Sequence, residues 1–184
     1  MNILALCGSL RAASLNAALL RTAARLAPPE IRVSVFDGMA ALPLFNPDLE
    51  AQAPPAVQRL RDEVAAADAL LIASPEYAHG VTGVIKNALD WLVSQEAFVN
   101  KPVAVLNASP RAHHADAALR ETLRTMSALI VEEASISIAL LGSKMSESEM
   151  IESPAVGGAL TSALAALHGT VVLRAAPAPA FPVS

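Results

Sequence analysis

The sequence is short of cysteine, of glycine where nucleotide-binding loops need it, and of positive charge. Cys7 is the one cysteine in 184 residues, so no intrachain disulfide can form, which fits a reducing, cytoplasmic compartment. The formal net charge is −4 with no basic stripe, which argues against nucleic acid as a partner. A small anionic ligand must then be held by local positive features. No uninterrupted apolar run reaches membrane-spanning length, and the apolar start lacks the basic flank and cleavage pattern of a signal peptide, so neither a membrane partner nor a leader is expected. G-x-G-x-x-G needs three glycines, and the first loop has only Gly8. No Gly-Lys-Ser/Thr follows, which excludes a Walker A loop. A thiol phosphatase would need arginine where Ala13 stands, so Cys7 reads as a buried strand-end residue. His113-His114 lacks cysteine or carboxylate partners and predicts no metal site.

What is present is an alternation of short apolar strands and amphipathic helices. Ile3–Leu6, Ile31–Phe36, Ala69–Ala73 and Pro102–Leu106 read as strands, and a fifth lies within Ile130–Ile138. Helical spacing of apolar residues follows the first strand (Leu19, Leu20, Ala23), precedes the third (Val57, Leu60, Val64) and follows it (Ile85, Ala88, Leu89). It recurs at Leu119, Leu123 and Met126, with Asp116 as the expected cap, and from Val156 to Leu167. Ser143–Pro154 reads as a loop. The predicted fold is α/β: a doubly wound, five-stranded parallel sheet with helices on both faces, a three-layer sandwich, in which the order 2-1-3-4-5 would bring three loops to one end. The expected organisation is one domain over residues 1–174 and a proline-rich tail over 175–184.

In such a sheet, ligands sit beyond the carboxyl ends of the strands where the strand order reverses. Three loops would meet there. The first is Cys7-Gly8-Ser9-Leu10-Arg11-Ala12-Ala13-Ser14-Leu15-Asn16. Gly8 permits a turn without a Cβ clash, Ser14 is a credible N-cap, and free N–H groups at a helix start attract anions. Arg11 adds a forked positive charge suited to phosphate. The second loop is Ser74-Pro75-Glu76-Tyr77-Ala78-His79-Gly80, and the third is Asn107–His114. Leu42–Asp48 is apolar and proline-punctuated, and reads either as a loop packed on its own core or as a lid or subunit contact.

Two motifs in these loops resemble the NADPH-dependent FMN reductase family, the flavodoxin-like group of quinone, chromate and azo-dye reductases. Gly8-Ser9-Leu10-Arg11-x-x-Ser14-x-Asn16 is similar to its phosphate loop. Pro75-Glu76-Tyr77 followed by Gly83-x-x-Lys86-Asn87-Ala88-Leu89-Asp90-Trp91 is similar to its second signature. The resemblance implies that Ser9, Arg11, Ser14, Leu15 and Asn16 hold an FMN phosphate. It implies that Pro75, Glu76, Tyr77, Ala78, His79 and Gly80 line the flavin ring, with Ser109 and Arg111 completing the cofactor set. It further implies a homodimer or homotetramer. The chain departs from the family pattern at Ala78, where asparagine is usual, and in a glycine-free third loop, Ser109–His114.

The activity so implied is hydride transfer from NADPH or NADH to bound FMN and onward to quinones, free flavin or similar acceptors. No side chain is assigned as catalytic, because the flavin carries the chemistry. Tyr77 is placed for stacking, Glu76 reads as structural, and His79 as either a proton donor or a bystander. Arg111 reads as a grip for a 2′-phosphate or as a solvated loop arginine. Lys86, Asn87, Asp90 and Trp91 read as structural. The alternative is a non-catalytic flavodoxin-like electron carrier.

Overall fold

The computed structural model describes residues 1–175, so the expected tail lies outside the described residues from 176 onward. The chain runs β1 (Asn2–Cys7), α1 (Leu15–Leu26), β2 (Arg32–Val35), α2 (Pro55–Ala66) and β3 (Ala69–Ala73). A small hairpin follows, β4 (Glu76–Tyr77) and β5 (Gly80–Val81), then α3 (Gly83–Asp90), β6 (Pro102–Asn107) and α4 (His113–Thr125). The last elements are β7 (Leu129–Ile130), β8 (Ile136–Ser137), α5 (Glu147–Glu152) and α6 (Pro154–Ala175).

The main sheet is parallel throughout, in the order β2-β1-β3-β6-β7, with β8 also paired to β6. Its five positions thus follow the expected 2-1-3-4-5. The difference is at the fifth, where two short strands flank a 3-10 turn at Glu132–Ala134. That turn takes backbone out of the ladder, and Ser135 fills the gap. Its hydroxyl accepts from Val105 N at 3.1 Å and donates to Val131 O at 2.9 Å, so a buried strand amide is not left without a partner.

The central strands are buried on both faces and alternate between two cores. Ile3, Ala5 and Cys7 face α1, α5 and α6, while Leu4 and Leu6 face α2, α3 and α4. α6 has the length and hydropathy of a membrane-crossing helix. Its Val156, Leu160, Leu164 and Leu167 pack into the first core, and that packing makes it a layer of this domain. It also runs through Gly169 to Ala175, beyond the expected end, because a glycine in a packed helix costs only about 1 kcal/mol against alanine.

Two expectations are corrected. Ser143–Pro154 contains α5, and Ser146 and Glu149 form a reciprocal capping box at its start; this S-x-x-E spacing was a readable helix signal. Asp116 does not cap α4. It lies inside the helix and pairs with Arg120 at 2.7 Å. The Leu42–Asp48 segment, open to two readings in the sequence, is anchored on its own core through Leu42 and Phe45 while Leu44 stays exposed. Asn87 Nδ2 and Trp91 Nε1 both donate to Pro43 O, at 2.9 and 2.8 Å, and Asn87 Oδ1 accepts from Phe45 N at 2.8 Å.

Gly8 sits where β1 ends against the end of β3, and its φ is not in the left-handed region. The residue is required for close approach, not for an unusual turn. A Cβ there would overlap the Ser74 hydroxyl and come within 2.6 Å of Ser74 Cβ. Gly8→Ala is therefore expected to destabilise by about 1–3 kcal/mol through overpacking, read as a lowered urea midpoint. Adding Ser74→Gly should restore most of that loss; no restoration would refute the steric account.

Candidate functional site

The carboxyl ends of β1, β3 and β6 open into a cleft of about 340 Å³, within the range of small-ligand sites. Its first wall is the loop before α1. Ser14 caps that helix by accepting from Ala17 N at 3.3 Å, as its place in the sequence indicated. The amides of Ala12, Ala13, Leu15 and Asn16 have no acceptor among the described residues. They gather at the positive end of the helix dipole, which is an anion site by construction. Asn16 is 7% exposed, and its Oδ1 is buried with no partner. An orphaned acceptor beside a cleft calls for a donor from a ligand.

The second wall is the loop after β3. Ser74, Pro75, Glu76 and Tyr77 line the cleft, and Tyr77 is 60% exposed. Ala78, His79 and Gly80 follow directly on Tyr77, beyond the residues that line the cleft itself. They form the tip of the β4–β5 hairpin, where Ala78 and His79 adopt φ of +48° and +59°. Two consecutive left-handed residues are the pattern of a tight type I′ hairpin turn. The first strand of the hairpin, Glu76–Tyr77, lies on the cleft.

Glu76 has a structural task. α4 begins without a side-chain cap of its own, and Glu76 Oε2 accepts from Ala115 N at 2.9 Å. That amide holds the carboxyl below the usual carboxylate range, and the nearby His114 and His79 rings add to the effect against partial desolvation. His79 also joins hairpin to helix, stacked on His114 with 4.4 Å between centroids, and His113 lies tilted against His114 at 4.1 Å. Among the described residues no group of His, Cys, Asp and Glu is arranged to hold a metal.

The third wall is the loop after β6, and it dispenses with glycine. Asn107 Oδ1 accepts from Ser109 N at 2.9 Å, and its Nδ2 donates to Ala112 O at 3.3 Å. A turn from Ser109 O to Ala112 N at 2.9 Å completes the brace. Ser109 Oγ then accepts from Arg111 N at 3.4 Å, just as Ser9 Oγ accepts from Arg11 N at 3.4 Å. Two Ser-x-Arg turns thus face each other, and each brings its arginine to the cleft. Neither guanidinium has a carboxylate partner among the described residues. Glu76, the one carboxylate on the lining, is already committed to Ala115.

The structure therefore brings together Ser9, Arg11, Ser14, Leu15, Asn16, Pro75, Glu76, Tyr77, Ser109 and Arg111 around one cleft. Asn107 and Leu141 also line it and were not expected. Asn107 ends a strand and precedes a Ser-Pro pair, a readable signal for an Asx turn. Leu141 reaches the cleft from 34 residues downstream of Asn107, and nothing local in the sequence marks it. Cys7 lies beneath the first loop, where burial raises its thiol pKa and Ser9 O accepts its weak hydrogen bond at 3.4 Å. It is not a nucleophile.

Two outcomes are expected of the second wall. Ala78→Asn places a residue tolerant of positive φ in the hairpin and should stabilise the protein by about 0.5–1 kcal/mol, measured as a raised urea midpoint. Glu76 has a folded pKa below its unfolded value, so between the two the unfolded chain binds more protons. Its contribution is present above the unfolded pKa of about 4.3 and is lost as pH falls through the folded value. Glu76→Gln should flatten that acid limb in denaturation midpoints measured from pH 6 downward. An unchanged acid limb would contradict the assignment.

A family model described as NADPH-dependent FMN reductase matches residues 1–140. A NAD(P)H-dependent FMN reductase of Pseudomonas aeruginosa is 44% identical over 112 residues, which cover 59% of this chain and 60% of the relative. A quinone reductase of Escherichia coli is 33% identical over 113 residues, with the same coverage of each chain. The chain thus spans about 60% of the length of these curated relatives. Among solved structures, a flavoenzyme NAD(P)H:acceptor oxidoreductase from Paracoccus denitrificans superposes with a TM-score of 0.65 at 29% identity, covering 94% of this chain and 93% of that one. The matched segment carries the strands β1, β3 and β6 and all three loops of the cleft, and this chain belongs to the NADPH-dependent FMN reductase family.

Proposed function

We propose that this chain is an FMN-dependent oxidoreductase. It takes hydride from NADPH or NADH and delivers electrons to quinones, free flavin or similar small acceptors. The observation that carries the reading is the unspent hydrogen-bonding capacity of the cleft: the free amides of Ala13, Leu15 and Asn16, two unpaired arginines and one orphaned acceptor on a single pocket. The names of the relatives, FMN reductase and quinone reductase, support the same chemistry.

The residues divide the cofactor by donor and acceptor. A phosphate carries only acceptors at neutral pH, so it suits the amides of Ala12, Ala13, Leu15 and Asn16 with Ser9, Ser14 and Arg11 around it. Asn16 Oδ1 cannot serve phosphate and instead suits a hydroxyl of the ribityl chain. Pro75, Glu76 and Tyr77 on one side and Ser109 and Arg111 on the other would flank the ring. When bound, the flavin supplies a hydride acceptor at N5. The chain's own contribution is to bind and orient it, and to hold its negative charge with N–H groups and guanidinium. Ala78, His79 and Gly80, at the tip of the hairpin that carries Tyr77, would complete that wall of the ring.

The reading extends to one flavodoxin-like domain over residues 1–174, working in the cytoplasm as a homodimer or homotetramer. Large apolar side chains left exposed, including Leu44 and Leu141, support self-association.

The test is the visible spectrum of the purified protein under anaerobic conditions, before and after NADPH or NADH. Flavin bands that bleach with either nucleotide and return on adding a quinone are the expected result. Bands that resist both nucleotides, or a colourless protein that FMN does not reconstitute, would overturn the reading.

A further inference from the structure

A second groove, of about 600 Å³, lies against the same phosphate loop. It shares Ala13, Ser14 and Leu15 with the flavin cleft, so the loop is a partition with a pocket on each side. The second groove is walled by the outer face of α1 and by the segment leading into α5. Its charge is unlike that of the chain as a whole. Arg21, Arg25 and Lys144 line it against a single carboxylate, Glu147. Glu147 accepts from Arg21 Nε at 2.6 Å. Arg25 and Lys144 have no carboxylate partner among the described residues. Arg21 and Arg25 are one helical turn apart and share a face. Lys144 is held at φ +54°, an uncommon backbone state for a lysine. Ala18 and Met145 give the groove apolar surface between the cations.

We propose that this groove holds the adenylate half of a dinucleotide. The inference rests on the reading of the 9–16 loop as a flavin phosphate site. FMN ends at that loop, whereas a ligand that continues past it meets two unneutralised cations for a further phosphate. It also meets an adaptable thioether, Met145, for a flat base. Two dinucleotides carry this chemistry. In FAD the adenylate extends from the flavin's own phosphate. In the nicotinamide donor it extends from the nucleotide brought to the flavin.

The experiment compares the wild type with the double variant Arg25→Ala, Lys144→Ala. Both side chains are exposed and neither belongs to the flavin cleft. Three titrations are followed by calorimetry: FMN and FAD onto apoprotein, and adenosine 2′,5′-bisphosphate onto both apoprotein and FMN-loaded protein. FMN affinity should stay within about twofold of the wild type. A loss of about tenfold in FAD affinity alone, one decade for the lost charged contacts, assigns the groove to a flavin dinucleotide. An unchanged FAD affinity with loss of bisphosphate binding assigns it to the nicotinamide nucleotide. Equal affinities of wild type and double variant for both FAD and the bisphosphate overturn the proposal. If FMN binds neither protein, the functional reading fails, and bisphosphate binding to the apoprotein still decides the groove.

Discussion

The site depends on the contact between the first two strand ends. Gly8 N donates to Ala73 O at 2.8 Å, and the buried Thr82 hydroxyl donates to Gly8 O at 2.7 Å while accepting from Ile85 N at 3.3 Å. One threonine therefore caps α3 and fastens the first loop to the start of that helix. The hydroxyl spends its donor on the strand and its acceptor on the helix, so neither partner is left unsatisfied in a buried place. With the ends of β1 and β3 fixed this closely, the loops that leave them must diverge around a common space. The cleft lined by Ser9, Glu76 and Ser109 is that space.

The third loop shows how the same cleft is shaped without glycine. Glycine lets a backbone approach a ligand because nothing projects from it. Here the approach is managed by side chains that bend the backbone and then stay close to it. Asn107 closes the turn, and Ser109 holds the Arg111 amide. The consequence is a wall carrying a guanidinium where a bare glycine loop would carry none. In a chain of net charge −4, Arg11 and Arg111 make the cleft locally positive, and the effect acts at contact range, where screening by salt is weakest.

Most of this architecture was legible in the sequence, because strands buried on both faces and amphipathic helices have periods that few other folds produce. β1, β3 and β6 stood out as apolar runs, and their order came with the resemblance of the loop motifs to a flavodoxin-like family. What was not legible depended on contacts between distant segments. Asp116 looked like the cap of α4, but Glu76, 39 residues before the Ala115 amide it accepts from, supplies it. The 76–81 segment looked like an open loop, because the sequence does not show that Ala78 and His79 take positive φ and close it into a two-residue hairpin. Gly8 was recognised as necessary, yet the cause is Ser74 across the sheet and not its own torsion angles. In each case the residue type was informative and its partner was not.

The hairpin and α4 illustrate a further constraint. α4 starts with Ala112 at its cap position and two histidines in its first turn. The first amides of a helix have no acceptor within it, and this helix has no side-chain cap of its own, so another segment must supply one. Glu76 does so from the neighbouring strand, and the stacked rings of His79, His114 and His113 fill the space beside it. Glu76 and Tyr77 are adjacent in β4, with Tyr77 on the cleft and Glu76 on the helix. The position of the aromatic ring over the cleft is thereby set by a carboxylate that spends its charge on α4. A helix that lacked its own cap, and a ligand wall that needed a fixed strand, are satisfied by the same residue.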